Sequence, residues 1–333
     1  MNVINLNSFS NLSIHLIYFG KTINFKDHLN AFKYFFKLNK VKVYTNNPNN
    51  NALIEIYRII KKSLSSNKPL IFITGPSYYD LILIFIASLL RIKTVYYAHE
   101  PNPLKIINFR NFIKRISILI YQLIIFRLCT QILPASLSCK SELKSFKNVY
   151  SGFVPLPFKK SSHQTQQIEK IYDYVFISRK LQLNKGFDGF LKFAKIYSSK
   201  KFLIHTSHKA LKNLKDLSIE IPSNIYIETK NLNYQNLCNS LLRCKIAIVL
   251  PENTTQSSAR SIFWNLGIPL ITTPNGMKGF EQMNSITLII TLNELKKLRK
   301  NKVLQETIIN FSSSQSSNKN LYYDFTDNAI KNF

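Results

Sequence analysis

Glycine is scarce in this chain, 8 residues in 333, and the 12 prolines are scattered rather than clustered. Collagen-like and low-complexity classes are thereby excluded. No G-x-G-x-x-G follows any strand-like run, which removes the reading of a dinucleotide-dependent oxidoreductase. The four cysteines, Cys129, Cys139, Cys238 and Cys244, show neither C-x-x-C spacing nor a histidine cluster nearby. Neither a zinc site nor a disulfide framework is indicated, and reduced thiols in a cytoplasmic protein are expected. Acidic residues are few, 17 against 45 Lys plus Arg, giving a formal charge of +28. A field of that size attracts phosphates, nucleic acid or anionic lipid without naming one of them. The codon bias of an AT-rich genome accounts for the lysine excess equally well. The segment MNVINLNSFSNLSIHLIYFG lacks the basic start and small-residue cleavage site of a signal peptide, so secretion is not expected.

What is present is apolar: 45% hydrophobic residues, 24 Phe and 17 Tyr among them. That is ample for a core, and the length favours two domains. Short apolar runs alternate with longer helical patterns, the signature of parallel sheets with crossover helices. In the first half LSIHLIYFG, KVKVYT, PLIFITG, KTVYYAH and QILPAS read as strands, with NVYSGF as a further short one. DHLNAFKYFFKL, NALIEIYRIIKKSL and a segment from about Tyr79 to Leu90 read as helices, and SCKSELKSF as a helix start. The second half repeats the order with YDYVFIS, KFLIHTS, NIYIET, KIAIVLP and PLITT as strands. Its helices are GFDGFLKFAKIY, YQNLCNSLLRC, SSARSIFWNL and a final NELKKLRKNKVLQETIINF. The fold class expected is α/β, two Rossmann-like doubly wound domains facing a cleft. The expected boundaries are 1–158, a polar, proline-bounded linker at 159–170, a second domain at 171–311, and a crossover or tail at 312–333.

The segment from Pro103 to Leu128 reads as one long helix with basic residues among bulky apolar ones. Its uninterrupted apolar stretch is far short of the roughly 20 residues that span a bilayer. Two readings stay open: a buried crossover helix with an exposed basic face, or a helix lying on an anionic membrane surface.

Two segments carry candidate chemistry. In FISRKLQLNKGF, Arg179 follows a strand and Lys185 precedes Gly186 at a helix entry. A guanidinium fork, an ammonium and free helix N–H groups together suit a diphosphate, whose charge they stabilise as it leaves. In KIAIVLPENTTQSSARSIFWNLGIPLITT a polar loop containing Glu252, Ser257 and Ser258 leads into a helix that Gly267 and Pro269 end. One of the two serines serves as N-cap; the rest of the loop is free to face an anion or sugar hydroxyls. His99 ends a strand in YYAHEP, a position from which a histidine donates to a hydroxyl or phosphate. His205 ends a strand of the second half.

With these residues in view the sequence resembles the retaining GT-B-fold glycosyltransferases of the family 4 type. Their second domain has a strand ending in G-R, a K-G five or six residues on, and later G-x-P-V-I. Ser178, Arg179, Lys185, Gly186 and the run Gly267, Ile268, Pro269, Leu270, Ile271 match. YYAHEP and ILPAS match the first-domain strand ends. The resemblance implies that Arg179, Lys185 and Gly186 bind a donor diphosphate and that no metal is required. It places His99 beside the transferred sugar as the catalytic candidate, and Glu252, Ser257, Ser258 and His205 near the donor sugar or nucleotide. It also implies a nucleotide-sugar donor, a glycan or lipid-linked acceptor, and a place in bacterial surface polysaccharide or lipopolysaccharide synthesis at the inner membrane face. The sequence departs from the family where its two spaced glutamates belong: that register falls on Thr254 and Ile262, with Glu252 two residues off. FGKTINF stands where the family often has a glycine-rich loop. The rival reading is a non-catalytic or nucleic-acid-binding basic protein, although no specific nucleic-acid motif is present.

Overall fold

The computed structural model describes residues 13–17, 23–38, 42–45, 51–66, 68–75, 77–99, 112–158, 168–178, 181, 186–216, 219–229, 234–250, 258–277, 279–314 and 321–331. The chain divides into two compact units, Met1–Lys159 with Thr326–Phe333, and Lys160–Phe325. Both are layered α/β structures with parallel sheets, as the alternation of apolar and helical runs predicts.

In the first unit β1 (Ser13–Ile17), β2 (Lys42–Thr45), β3 (Pro69–Ile73), β4 (Lys93–Ala98) and β5 (Gln131–Pro134) form a five-stranded sheet in the order β2-β1-β3-β4-β5. All four pairings are parallel. The strands are apolar on both faces because both faces are covered. Alternation sorts the side chains: Phe72 and Tyr97 meet Phe32 and Phe36 of α1 (Ile23–Leu38), with ring centroids 5.0–6.2 Å apart. Ile71, Ile73, Tyr96 and Ala98 point the other way. They pack with Ile56 and Ile59 of α2 (Ala52–Leu64), Leu83 and Ile84 of α3 (Tyr78–Leu89), and Ile125 and Phe126 of α4 (Phe112–Leu128). Each such buried side chain contributes roughly 1.5–3 kcal/mol. Local signals set the helix starts. The Asn51 side chain accepts from Leu53 N at 3.0 Å, and Ser77 and Asp80 form a capping box that starts α3. The short α5 (Leu137–Glu142) follows β5, its N-terminus capped by Ser136.

The second unit has β6 (Tyr172–Ile177), α6 (Phe187–Ile196), β7 (Phe202–His205), α7 (His208–Asp216), β8 (Ile225–Glu228), α8 (Tyr234–Leu242) and β9 (Cys244–Val249). It continues through α9 (Ser258–Asn265), β10 (Leu270–Thr272), α10 (Pro274–Met277), a 3-10 turn at Glu281–Ile286 and β11 (Thr287–Ile289). The six strands run β11-β10-β9-β6-β7-β8, all parallel. Phe187, Phe190 and Phe193 of α6 form the centre of its core with Tyr174, Phe176 and Phe202.

Several features differ from the sequence expectation. The helix read over NELKKLRKNKVLQETIINF is two helices, α11 (Leu292–Lys297) and α12 (Lys302–Ser314), separated by a 3-10 turn. Asn301 is the cause: its backbone leaves the helical region and its Oδ1 caps the new start by accepting from Leu304 N at 3.0 Å. The strand read in NVYSGF is a single bridge, Val149 to Ile132. β11 and α7 are additions: the first is three residues at a sheet edge, the second a polar helix with little apolar signal. A last helix, α13 (Leu321–Lys331), begins in the second unit and ends in the first. Residues 103–111 of the long helix read from Pro103 lie outside the described residues.

Candidate functional site

Strand order decides where each sheet offers a crevice. In the second unit the chain proceeds outward from β6 through β7 to β8, then returns to β6's other side with β9, β10 and β11. This is the doubly wound order whose ligands sit beyond the strand carboxyl ends at the reversal, here between β6 and β9. The first unit reverses between β1 and β3.

Gly186 stands at the second unit's reversal. Its φ of +85° is a region that favours glycine, and a Cβ there would lie 2.6 Å from the Leu250 carbonyl carbon and 2.9 Å from its Cα. Only a residue without a side chain lets the start of α6 come this close to the end of β9. Gly186 as N-cap has no side chain, and no side chain among the described residues caps α6. Among the described residues nothing accepts from the N–H groups of its first turn, at the helix end whose dipole favours an anion. Asp188, the acid of that turn, is engaged by Lys192 at 2.7 Å. Arg179 and Lys185 lie outside the described residues, as do Glu252 and Ser257. Ser258 is the first residue of α9, and its side chain is not among those described.

The carboxyl ends of β6, β7 and β8 are stitched together. Ser178 N donates to His205 O at 3.1 Å, Thr206 Oγ1 to Ser178 O at 2.6 Å, and Thr206 N to Glu228 O at 2.9 Å. His205 is 8% exposed, and its Nε2 makes no hydrogen bond to any described residue. Burial lowers its pKa, while the Glu228 carboxylate pulls the other way. The ring is thus held toward its neutral form, able to donate from one nitrogen and accept at the other. Glu228 is itself occupied, accepting from Ser240 Oγ at 2.6 Å.

One residue of this region escaped the sequence reading. Arg260, in the first turn of α9, is 3% exposed, and its Nε and Nη1 make no hydrogen bond to any described residue. Its guanidinium lies 5.9 Å from the ring centroids of both Trp264 and Phe280. Desolvation by burial lowers its pKa to about 10, opposed by Tyr322, whose ring stacks on Trp264. The signal was there: Arg260 and Trp264 are four apart and share one helix face. Ile262, where the sequence register looked for a glutamate, is a buried packing residue.

In the first unit His99 follows β4 and is half-buried. Its carbonyl accepts from Cys139 Sγ at 3.3 Å, while Ser136 Oγ accepts from Cys139 N at 3.1 Å. The ILPAS strand end thus serves as a helix cap, one element over from His99. Thr74, at the end of β3, donates its hydroxyl to Ile17 O at 3.0 Å and ties the ends of β3 and β1 together. Neither His205 nor Gly186 belongs to this unit. A groove of about 1040 Å³ opens at the opposite edge, at the amino ends of β4 and β5, lined in part by Lys93, Thr130, Glu142 and Asn148. Among the described residues no group of three His, Cys, Asp or Glu side chains is placed to hold a metal ion, and the four cysteines are buried and form no disulfide.

No protein-family model matches the chain, and no curated protein matches it in sequence. Solved structures do match in fold. Sucrose-phosphate synthase from Thermosynechococcus elongatus superposes with a TM-score of 0.62 at 10% identity, over 97% of this chain and 95% of that one. An alpha-glucosyltransferase solved with UDP and a 13-mer DNA containing an HMU base gives 0.60 at 11% identity, over 95% and 98%. The UDP-GlcNAc 2-epimerase of Methanocaldococcus jannaschii gives 0.53 at 13% identity, over 96% and 99%. The chain has the GT-B fold of two Rossmann-like domains.

Proposed function

We propose that this chain is a glycosyltransferase that takes a sugar from a nucleoside-diphosphate donor held on its second unit. The observation that carries the reading is Gly186. Its positive φ and close approach to Leu250 set a helix N-terminus, without a side-chain cap among the described residues, at the reversal point of a doubly wound sheet. That arrangement suits a diphosphate. A fold shared with a UDP-GlcNAc 2-epimerase and with a glucosyltransferase solved with UDP supports it.

In this reading the α6 amides, Arg179 and Lys185 hold the donor diphosphate. His205, Glu252, Ser257 and Ser258 contact the donor sugar or the nucleoside. His99, on the first unit, is the catalytic candidate, and the acceptor is a glycan or lipid-linked glycan of bacterial surface polysaccharide or lipopolysaccharide synthesis. Transfer proceeds with retention and without a metal. As the anomeric centre becomes oxocarbenium-like, negative charge gathers on the departing diphosphate, and fixed donors aimed there lower the barrier more than they stabilise the bound substrate. An epimerase on the same fold needs the same diphosphate site but no acceptor, so product analysis separates the two.

The test is thermal stability against a panel of nucleoside diphosphates and nucleotide sugars. A ligand that binds only the folded protein at a hundredfold excess over its Kd stabilises it by about 2.7 kcal/mol. One base and one sugar should raise the melting temperature, and Arg179→Ala and Lys185→Ala should each abolish the rise. A well-folded protein that responds to no nucleotide would overturn the reading. Transfer to an added glycan acceptor would then distinguish the transferase from an epimerase.

A further inference from the structure

The helices α2, α3 and α4 lie side by side on one face of the first sheet, and their inward residues belong to one core. Their outward faces are apolar as well. On α2 Leu53, Tyr57 and Leu64 repeat at helical spacing, Tyr57 being 65% exposed. On α3 the same is true of Tyr78, Phe85 and Leu89, the last 69% exposed. On α4 it is true of Ile113, Ile120 and Ile124, with Ile113 81% exposed. Thirteen of the eighteen large exposed hydrophobic residues among those described lie on these helices or at the C-cap of α3. Scattered exposed apolar residues need no explanation, but a contiguous set on three adjacent helices marks an interaction surface.

Charge identifies the occupant. Lys61, Lys62, Arg91 and Arg127 are exposed on or next to these helices, while their only acids, Glu55 and Asp80, are buried. Glu55 also accepts from Arg58 at 2.8 Å. A second copy of the same face would set basic side chains against basic side chains. Nucleic acid would answer the charge, yet nine of the thirteen apolar residues are aliphatic and give bases no ring to stack on. A bilayer rich in anionic phospholipid answers both features: acyl chains take the Leu and Ile side chains, headgroups take the lysines and arginines, and Tyr suits the boundary. Among the described residues no helix is long and apolar enough to cross a membrane. The contact is therefore one of lying on the surface.

We infer that the outer face of α2, α3 and α4 docks the first unit on an anionic phospholipid bilayer. The docking is independent of the donor chemistry proposed above and survives its failure. It extends the sequence reading of a single amphipathic helix, since α4 supplies only one third of the face and its inner side is core.

The experiment is flotation of the full chain with vesicles of phosphatidylcholine alone and of phosphatidylcholine mixed with phosphatidylglycerol. Binding is expected to the mixed vesicles, and to weaken as salt rises. The triple variant Tyr57→Ser, Phe85→Ser, Leu89→Ser should lose more than about tenfold in affinity. The pair Lys61→Glu, Lys62→Glu should do the same, at about fivefold or more per lysine. The altered side chains are exposed, so the melting temperature should hold. Leu64→Ser with Ile120→Ser serves as a second set should the triple misfold. Absence from the floated fraction with mixed vesicles would overturn the inference. So would a lipid-free dimer, or tight binding to single-stranded DNA, that the triple variant abolishes.

Discussion

The two units use one plan, a parallel sheet between helices, and differ in how much apolar surface they expose. The first unit exposes fourteen of the eighteen large apolar residues left outside among those described; the second exposes four. Both units bury polar atoms that make no hydrogen bond among the described residues, Ser63 Oγ and Asp80 Oδ1 in the first, His205 Nε2 and Arg260 Nε and Nη1 in the second, so that feature does not separate them. A surface helix normally turns a polar face to water. Departures from that rule are concentrated on α2, α3 and α4 of the first unit, and the helices of the second unit keep to it more closely. The difference teaches that a shared fold does not share out function evenly.

The largest effect that sharpens the comparison belongs to Gly186. Gly186→Ala should cost about 3 kcal/mol or more, because the new methyl group meets the Leu250 backbone at a positive φ. Gly189→Ala is the control. Its Cβ would meet only the side-chain ends of Leu250 and Leu295, and a helix favours alanine over glycine by about 1 kcal/mol, so the net change should stay within about 1 kcal/mol. Urea denaturation of both variants measures the contrast. Equal small losses would mean that the close approach of α6 to β9 is not a constraint.

The first unit should show its own buried ionisable group through pH. His15, in the middle of β1, is pushed down from 6.5 to about 4 by burial, with Lys62 adding to it. Below 6.5 the unfolded chain takes up a proton that the folded chain refuses until about 4, so stability falls with falling pH across that window. The full difference is about 3 kcal/mol. Asp80 acts in the opposite sense: burial raises its pKa to about 7, and its contribution is lost as pH rises through that value. Comparing His15→Leu with the parent cancels Asp80. The variant should gain on the parent by about 3 kcal/mol between pH 7 and pH 4. A constant difference across that range would show that His15 is not held neutral.

A smaller effect tests the second unit. Arg260 is a buried cation with no ion pair among the described residues, so Arg260→Met, which keeps the bulk against Trp264 and Phe280, should raise stability by about 1 kcal/mol. A loss of more than about 2 kcal/mol in thermal or urea unfolding would mean that the ring contacts outweigh desolvation.

Much of the fold was legible because strands buried on both faces leave continuous apolar runs, and PLIFI, KTVYYA and CKIAIV do so. What escaped was short or polar: β11 has three residues, α7 is rich in lysine and asparagine, and the break at Asn301 depends on a side-chain cap that looks like ordinary helix sequence. The site was legible in part. Gly186 follows a strand and opens a helix, which gives a lone glycine meaning, and His99 and His205 do lie at strand carboxyl ends. Arg260 stayed hidden because an arginine in a helix normally implies solvent, and only tertiary packing put aromatic rings around it. The outward apolar faces were hidden for a related reason: a run such as YYDLILIFIASL is apolar nearly all round, and sequence alone does not say which side is covered.

The central claim is that the uncapped start of α6 is a diphosphate site. A crystal structure with the nucleoside diphosphate that gives the largest thermal shift tests it most directly. The account predicts diphosphate oxygens within hydrogen-bond distance of the Phe187 and Asp188 amides, beside Gly186, with the Arg179 and Lys185 side chains on the same group. A nucleotide bound elsewhere, for example in the groove at the amino ends of β4 and β5, with the start of α6 left bare, would contradict it.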